Sequence, residues 1–336
     1  MERWLLASPK APRAFFDTFV PIMQARAIMT AVETGLFAAL RDGPLDVVDM
    51  ARVTAVDQDT LDLLLSVLTA SDYLTVDAER RFALSALSRA TLLADSPASL
   101  TSWVSLTDMW WTRFADMTAV LRSGRGGDLH AEQHGARQWQ TYQAAMLEHA
   151  RNMAPEIAEL IPVRPGSRRL LDIGGSHGLF GALVARAHPP LLAEVLDLPP
   201  ALEHARELAR KEGLTDVVTH RAGDALVDDL GVGYDVIFLG SVIHHFDREQ
   251  IARLLVRVRA AIAPKGTVAV YGMNRPEVTE GVDLLRDAFA LFFRIVSSAA
   301  SYTVAEQQEW LASVGFVDLE AHPYPLGMTL LVGRAP

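Results

Sequence analysis

The chain has 336 residues, half of them apolar, enough for two domains and a large core. Its formal net charge of −10 argues against a nucleic-acid partner, which needs a basic face. It has no cysteine, which excludes a disulfide framework, a thiolate metal site and a cysteine nucleophile. Met1 to Lys10 has no apolar core of signal-peptide length, and no run reaches the roughly 18 apolar residues of a membrane span. A soluble cytoplasmic protein without a membrane partner is therefore expected.

From Phe15 to Leu40, apolar residues recur at helical spacing: Phe15, Phe16, Phe19, Ile22, Met23, Ile28, Val32, Leu36 and Phe37. Such a stripe suits a core helix or one that also packs on a second subunit. Its scarcity of charge favours the second, and hence a homodimer. Leu45 to Val53 and Gln58 to Ala70 read as short helices. Strand patterns follow at Tyr73–Val76 and Arg81–Leu84, around a polar turn. Three helices and a hairpin are the order of a winged helix. Here, however, Asp46, Asp49, Asp57, Asp59 and Asp62 face phosphate against a single Arg52. Residues 1–100 are therefore expected to be a scaffold and dimerisation module that does not bind DNA.

Leu100 to Leu121 is aromatic-rich, with Trp103, Trp110, Trp111 and Phe114, and a glycine-rich break follows at 123–127. Trp139 to Leu160 is helical again, with a possible interruption at Pro155. Tyr142, Met146, His149 and Met153 share one face of it, as core packing or as the wall of a cleft. Residues 101–163 are expected to contribute to a substrate cleft. Ile161 to Ser167 has the composition of a linker, and a third segment, 164–336, is expected to begin there.

In that segment strands and helices alternate. Strands are expected at Leu170–Ile173, Ala193–Leu196, Val217–Arg221, Tyr234–Leu239 and Thr267–Tyr271, with helices near Leu179–Ala187, Pro200–Glu212 and Arg248–Ile262. This predicts an α/β fold with a doubly wound parallel sheet. Thr303 and Glu306 have the spacing of a capping box, so a helix should run over Val304–Val314. Two closing strands, expected to be antiparallel, follow at Gly315–Leu319 and Gly327–Val332.

The chemistry gathers around Asp172-Ile173-Gly174-Gly175-Ser176-His177-Gly178. Glycines at 174, 175 and 178 let a ligand approach the backbone, and the helix that follows aims free N–H groups at it. Asp172 ends the strand, where it can meet a cationic or hydroxyl group. Asp197, 19 residues past Gly178, ends the next strand, where a nucleotide site keeps the carboxylate that grips ribose hydroxyls. Asp224 and Ala225 follow the third strand, where an acid can accept the exocyclic amine of adenine. Gly240 and Ser241 can form the small-residue wall of such a site. His244-His245 lies on the next loop, and a histidine suits removal of a phenolic proton near neutrality. Adjacent histidines with no nearby acid cluster make a poor metal set, so no metal is expected.

These motifs together resemble the S-adenosylmethionine-dependent O-methyltransferases of the plant caffeate and hydroxyindole type, and bacterial relatives that tailor aromatic natural products. The likeness covers nearly the whole chain. It includes Ala25–Leu40, similar to the family's dimerisation helix, and Tyr142 to Met146, similar to its Phe-x-x-x-Met. It also includes the glycine-rich motif, Leu196-Asp197-Leu198-Pro199 and Gly223-Asp224. The resemblance implies a class I methyltransferase fold. It places Gly174 near the methionine part of the cofactor, Asp197 on the ribose, and Asp224 with Ala225 at the adenine. S-adenosylhomocysteine would be the product. His244 falls at the family's general base. The places of the family's two orienting carboxylates hold Gly272 and Ser301, with His245 and Glu148 as possible stand-ins.

For the acceptor, Trp111, Tyr142, Met146, His149, His245, Met273, Phe289, Phe292, Phe293 and Val296 suggest an apolar and aromatic pocket for a flat phenol. Two other readings stand beside methyl transfer. One is a hydroxylation, decarboxylation or pericyclic rearrangement on the same fold. The other is a ligand-sensing winged-helix protein without catalysis.

Overall fold

The apolar run at Arg169–Ile173 becomes an interior strand of a seven-stranded sheet, with Leu170 and Leu171 wholly buried. The computed structural model describes residues 13–128, 135–277, 281–297 and 299–336. The expectation for Met1–Lys10 falls outside the described residues.

The first unit, up to Met109, holds α1 (Arg13–Glu33), α2 (Leu36–Ala39), α3 (Val47–Thr54), α4 (Gln58–Ala70), β1 (Leu74–Val76), β2 (Phe82–Leu84) and α5 (Ala86–Thr91). The long helix expected to Leu40 stops at Glu33, and Gly35 then turns in the left-handed region at φ +72°. Asp46 and Asp57 cap α3 and α4 by accepting from the N–H groups of Asp49 and Thr60. β1 and β2 pair antiparallel, and Leu45 bridges to Phe82. Their core is Leu36, Phe37, Leu40, Met50, Leu65 and Leu68, among others. α1 leaves Phe15, Phe19, Val20, Ile22 and Met23 about half exposed.

The second unit begins at Trp110, within α6 (Thr101–Ala115). It continues with α7 (Met117–Ser123), α8 (Ala136–Leu160), β3 (Arg169–Ile173), α9 (Leu179–Ala187), β4 (Leu192–Asp197), α10 (Leu202–Lys211), β5 (Val218–Ala222) and β6 (Tyr234–Gly240). Then come α11 (Arg248–Ala261), β7 (Ile262–Met273), α12 (Leu284–Ser297), α13 (Val304–Ser313), β8 (Val317–Tyr324) and β9 (Met328–Arg334). The Thr303–Glu306 capping box forms as expected.

The strand order is β5-β4-β3-β6-β7-β9-β8, with β3 to β7 parallel and β9 antiparallel to both β7 and β8. The order reverses between β3 and β6, which opens a crevice at their carboxyl ends.

A boundary at Ile161–Ser167 does not appear. α8 runs unbroken through Pro155 to Leu160. Its residues Leu147, Ala150, Ala154 and Ile157 share one core with Leu170, Ala182, Val195 and Phe238 of the sheet and α9. The proline- and glycine-bearing stretch is a turn inside one folding unit.

Candidate active site

The crevice becomes a cavity of about 540 Å³. Asp172, at the end of β3, faces into it. Gly174 turns at φ +67° and its N–H donates to Leu196 O at 2.8 Å. At Gly175 a Cβ would lie 2.3 Å from Asp172 Cγ, so glycine is what lets the carboxylate stand there. Ser176 occupies the left-handed region at φ +49° without being glycine, a costly placement unless neighbours hold it. Its N–H donates to Asp197 Oδ2 at 2.9 Å, and Leu198 N–H donates to Asp197 Oδ1 at 2.7 Å. The Asp197 carboxylate at the end of β4 is thus fixed by two backbone amides.

The opposite wall is α8, with Trp139, Tyr142, Gln143, Met146 and His149. His177 joins loop to wall: its Nδ1 accepts from Leu179 N–H at 3.1 Å, and its ring is held by the Met146 backbone. The remaining sides are Gly223 to Leu226 after β5, Gly240 to Val242 after β6, and His245 with Phe246. Close approach at Gly240 is real, since a Cβ there would sit 2.5 Å from Phe238 Cε1. Asp224 shapes its own loop, accepting from Leu226 N–H at 2.8 Å.

The electrostatics are one-sided. The described lining contains Asp128, Asp172, Asp197 and Asp224, and no lysine or arginine. Burial pushes Asp172 up to about 7; the nearby Gly181 N–H opposes this and the Asp197 charge adds to it. Burial also raises Asp197 to about 6 against the pull of the Leu198 and Ser176 amides. His177 is pushed down to about 4, again chiefly by burial, and His149 is lowered for the same reason. Burial raises the Tyr142 phenol, and the Asp197 charge adds to it. Both Asp172 oxygens, Gln143 Oε1 and Ser176 Oγ are buried without a hydrogen-bond partner. The Asp172 and Gln143 oxygens can accept from a ligand's donors, and the Ser176 hydroxyl can donate or accept.

Of the residues expected to hold the cofactor, Asp172, Gly174, Asp197, Leu198, Asp224, Ala225, Gly240 and Ser241 all line the cavity. Gly178 does not. Its place is structural, because a Cβ would meet Val218 and Val195 at 2.8 and 3.0 Å. Of the expected acceptor residues, Tyr142, Met146, His149 and His245 line the cavity.

The others lie elsewhere. His244 is stacked on Phe293, ring centroids 3.8 Å apart, and borders a separate small cavity with Gly272, Met273, Asn274 and Gln307. Phe292 packs on Trp110 and Phe114, and Phe289 on both Phe292 and Phe293. Val296 is buried in the core, and Trp111 lies in α6 away from the lining. His245 Nδ1 lies 3.1 Å from Ser297 Oγ and its ring meets His244 edge-on. Gln143, Ser176, His177 and Phe180 line the cavity without having been singled out. Helical spacing carried a signal for Gln143, one turn before Met146; the others had none beyond their nearness to the glycines.

Residues 114–316 match the O-methyltransferase domain family. The chain is 28% identical over 327 residues to the N,N-dimethyltransferase OxyT of Streptomyces rimosus, spanning 93% of this chain and 94% of that one. It is 26% identical over 321 residues to the tetracenomycin polyketide synthesis 8-O-methyl transferase TcmO of Streptomyces glaucescens, spanning 93% of each. Among solved structures, human N-acetylserotonin methyltransferase in complex with S-adenosylmethionine has a TM-score of 0.88 at 20% identity, over 98% of both chains. That last likeness is one of fold.

Proposed function

The chain belongs to the O-methyltransferase domain family, and from that premise we propose that it methylates a hydroxyl of an aromatic or polyketide-like small molecule, using S-adenosylmethionine. The sign of the cavity carries the reading. Four carboxylates and no cationic side chain suit a cationic nucleoside and would repel a dinucleotide's phosphates. The unpartnered Asp172, Gln143 and Ser176 atoms fit a ligand rich in ammonium and hydroxyl donors. When bound, the cofactor supplies an electrophilic methyl group on a cationic sulfur.

Asp197, pre-set by the Ser176 and Leu198 amides, would take the ribose hydroxyls. Asp224, Ala225, Gly240 and Ser241 would border the adenine, and Gly174 with Asp172 the methionine end. Trp139, Tyr142, Met146 and Phe180 give the cavity aromatic and apolar surface, and TcmO, by its name, serves polyketide synthesis. Holding acceptor and donor together supplies much of the rate.

Two rings compete for removing the hydroxyl proton. The family resemblance favours His244, while the cavity lining favours His245. His244→Ala and His245→Ala separate them, since loss of the true base removes the acid limb of the pH–rate profile. If both variants keep that limb, neither ring is the base.

The exposed apolar face of α1, where Phe15 and Phe19 stack at 5.3 Å, supports a homodimer. Light scattering tests it, and a monomer at micromolar concentration refutes it. Cytoplasmic residence belongs to the same reading. Among the described residues no helix is long and apolar enough to cross a membrane.

Incubation with S-adenosylmethionine and a panel of polycyclic phenols tests the whole. A product heavier by one CH₂, with S-adenosylhomocysteine released in equal amount, supports it. Turnover of an acceptor without that mass gain refutes methyl transfer.

A further inference from the structure

Ser176 is pinned on both sides of its backbone. Its N–H donates to Asp197 Oδ2 at 2.9 Å, and its carbonyl oxygen lies 2.9 Å from His220 Nε2. A carbonyl can only accept, so Nε2 carries the proton. His220 sits on β5, opposite Val195 of β4, and is not among the residues that line the cavity. We propose that His220 is a positioning residue for the nucleoside: its ring holds Ser176 in the left-handed conformation, which aims the Ser176 amide at Asp197 and fixes the ribose carboxylate.

The physical case has three parts. A non-glycine residue at φ +49° is strained and needs outside support. The ring and the carboxylate grip opposite ends of the same residue, so releasing one end frees the other to rotate. The ring is also well placed to be rigid, because its strand is paired with β4 along its length, from Val218 to Ala222. Burial lowers the His220 basicity, and the Ser176 carbonyl offsets part of that. The Ser176 contact needs only the Nε2 proton, which both the neutral and the charged ring can carry.

The inference rests on the reading of Asp197 as the ribose ligand, and a double-mutant cycle keeps the two apart. S-adenosylhomocysteine is titrated calorimetrically into the parent, His220→Leu, Asp197→Ala and the double variant. The proposal expects His220→Leu to weaken binding about tenfold, the scale of one net hydrogen bond. It expects little further loss when Asp197 is already alanine, because both changes break one chain of contacts. His220→Gln, whose amide can donate to Ser176 O, should recover part of the affinity.

A melting curve like the parent's shows that His220→Leu is folded. If it then binds like the parent, or if the two losses simply add, His220 does not act through Asp197 and the proposal fails. If the parent itself does not bind, the nucleoside reading fails, and this proposal with it.

Discussion

Replacing Asp172 by Asn should make the empty protein more stable, and increasingly so as pH rises. Asp172 is 1% exposed, the nearby Gly181 N–H gives its carboxylate only partial support, and burial raises its carboxyl from 3.8 to about 7. At about 1.4 kcal/mol per tenfold in proton concentration, the charged form lies roughly 4 kcal/mol less stable in the fold than in the unfolded chain. The sign follows from the raised folded value: the acid's stabilising contribution is complete below 3.8 and is lost as pH rises towards 7 and beyond. Asn keeps the shape and cannot ionise, so its advantage over the parent should widen by about 2–3 kcal/mol between pH 5 and 8. At roughly 2–4 °C per kcal/mol for a unit of this size, that is a change of several degrees. Paired melting curves at closely spaced pH, without cofactor, measure it; titrating groups that do not sense Asp172 cancel in the difference, and the neighbouring Asp197 carboxyl adds a smaller change of its own. A constant offset between variant and parent across pH 5–8 would show that Asp172 does not titrate there, and the reasoning would fail. The same carboxylate should regain its charge when a cation binds, so S-adenosylmethionine affinity should rise with pH towards 7 more steeply in the parent than in the variant, where only the Asp197 carboxyl, raised to about 6, still contributes.

Gly175→Ala places a Cβ 2.3 Å from Asp172 Cγ and must displace a buried carboxylate. A cost of about 1–3 kcal/mol is expected, with cofactor affinity lowered about tenfold or more by titration; unchanged affinity would refute the close-approach argument. His177 is held near 4, below its ordinary 6.5, so the parent should lose stability as pH falls from 6.5 towards 4. His177→Gln should flatten that loss in denaturant titrations, and an equal slope in both proteins would count against it. Gln143 Nε2 donates to Ala201 O at 2.9 Å while its Oε1 stands unpartnered at the cavity. Gln143→Leu should therefore weaken cofactor binding by roughly three- to tenfold, one lost hydrogen bond, and full affinity would show that Oε1 meets no ligand.

The sheet was legible because its signals are local and periodic. A buried run such as Leu170–Ile173, a glycine turn and a small-residue helix specify a βα unit, and its repetition specifies the sheet. The position of the cavity was equally legible, since ligands in such folds bind at strand ends and the acids at 172, 197 and 224, which line it, mark those ends. The α8 stripe showed its use through spacing: Tyr142, Met146 and His149 reach the cavity, and Met153 packs into the core beyond it.

The packing of the apolar face of α12 was not legible. An apolar face such as Phe289, Phe292, Phe293 and Val296 looks the same whether it lines a void or fills one, and here these rings pack on Trp110, Phe114 and His244. Nor does linker composition at Ile161–Ser167 distinguish a domain edge from a tight turn, which depends on what α8 packs against. Contacts that join distant side chains to backbone, as at His220 and His177, leave no pattern in the chain at all.

The most direct test of the account is calorimetric titration of the purified protein with S-adenosylmethionine and S-adenosylhomocysteine, alongside Asp197→Ala. The account predicts micromolar binding of both ligands, lost or strongly weakened in the variant. Binding of neither, or binding that Asp197→Ala leaves untouched, would contradict a nucleoside held at the ends of β3 and β4.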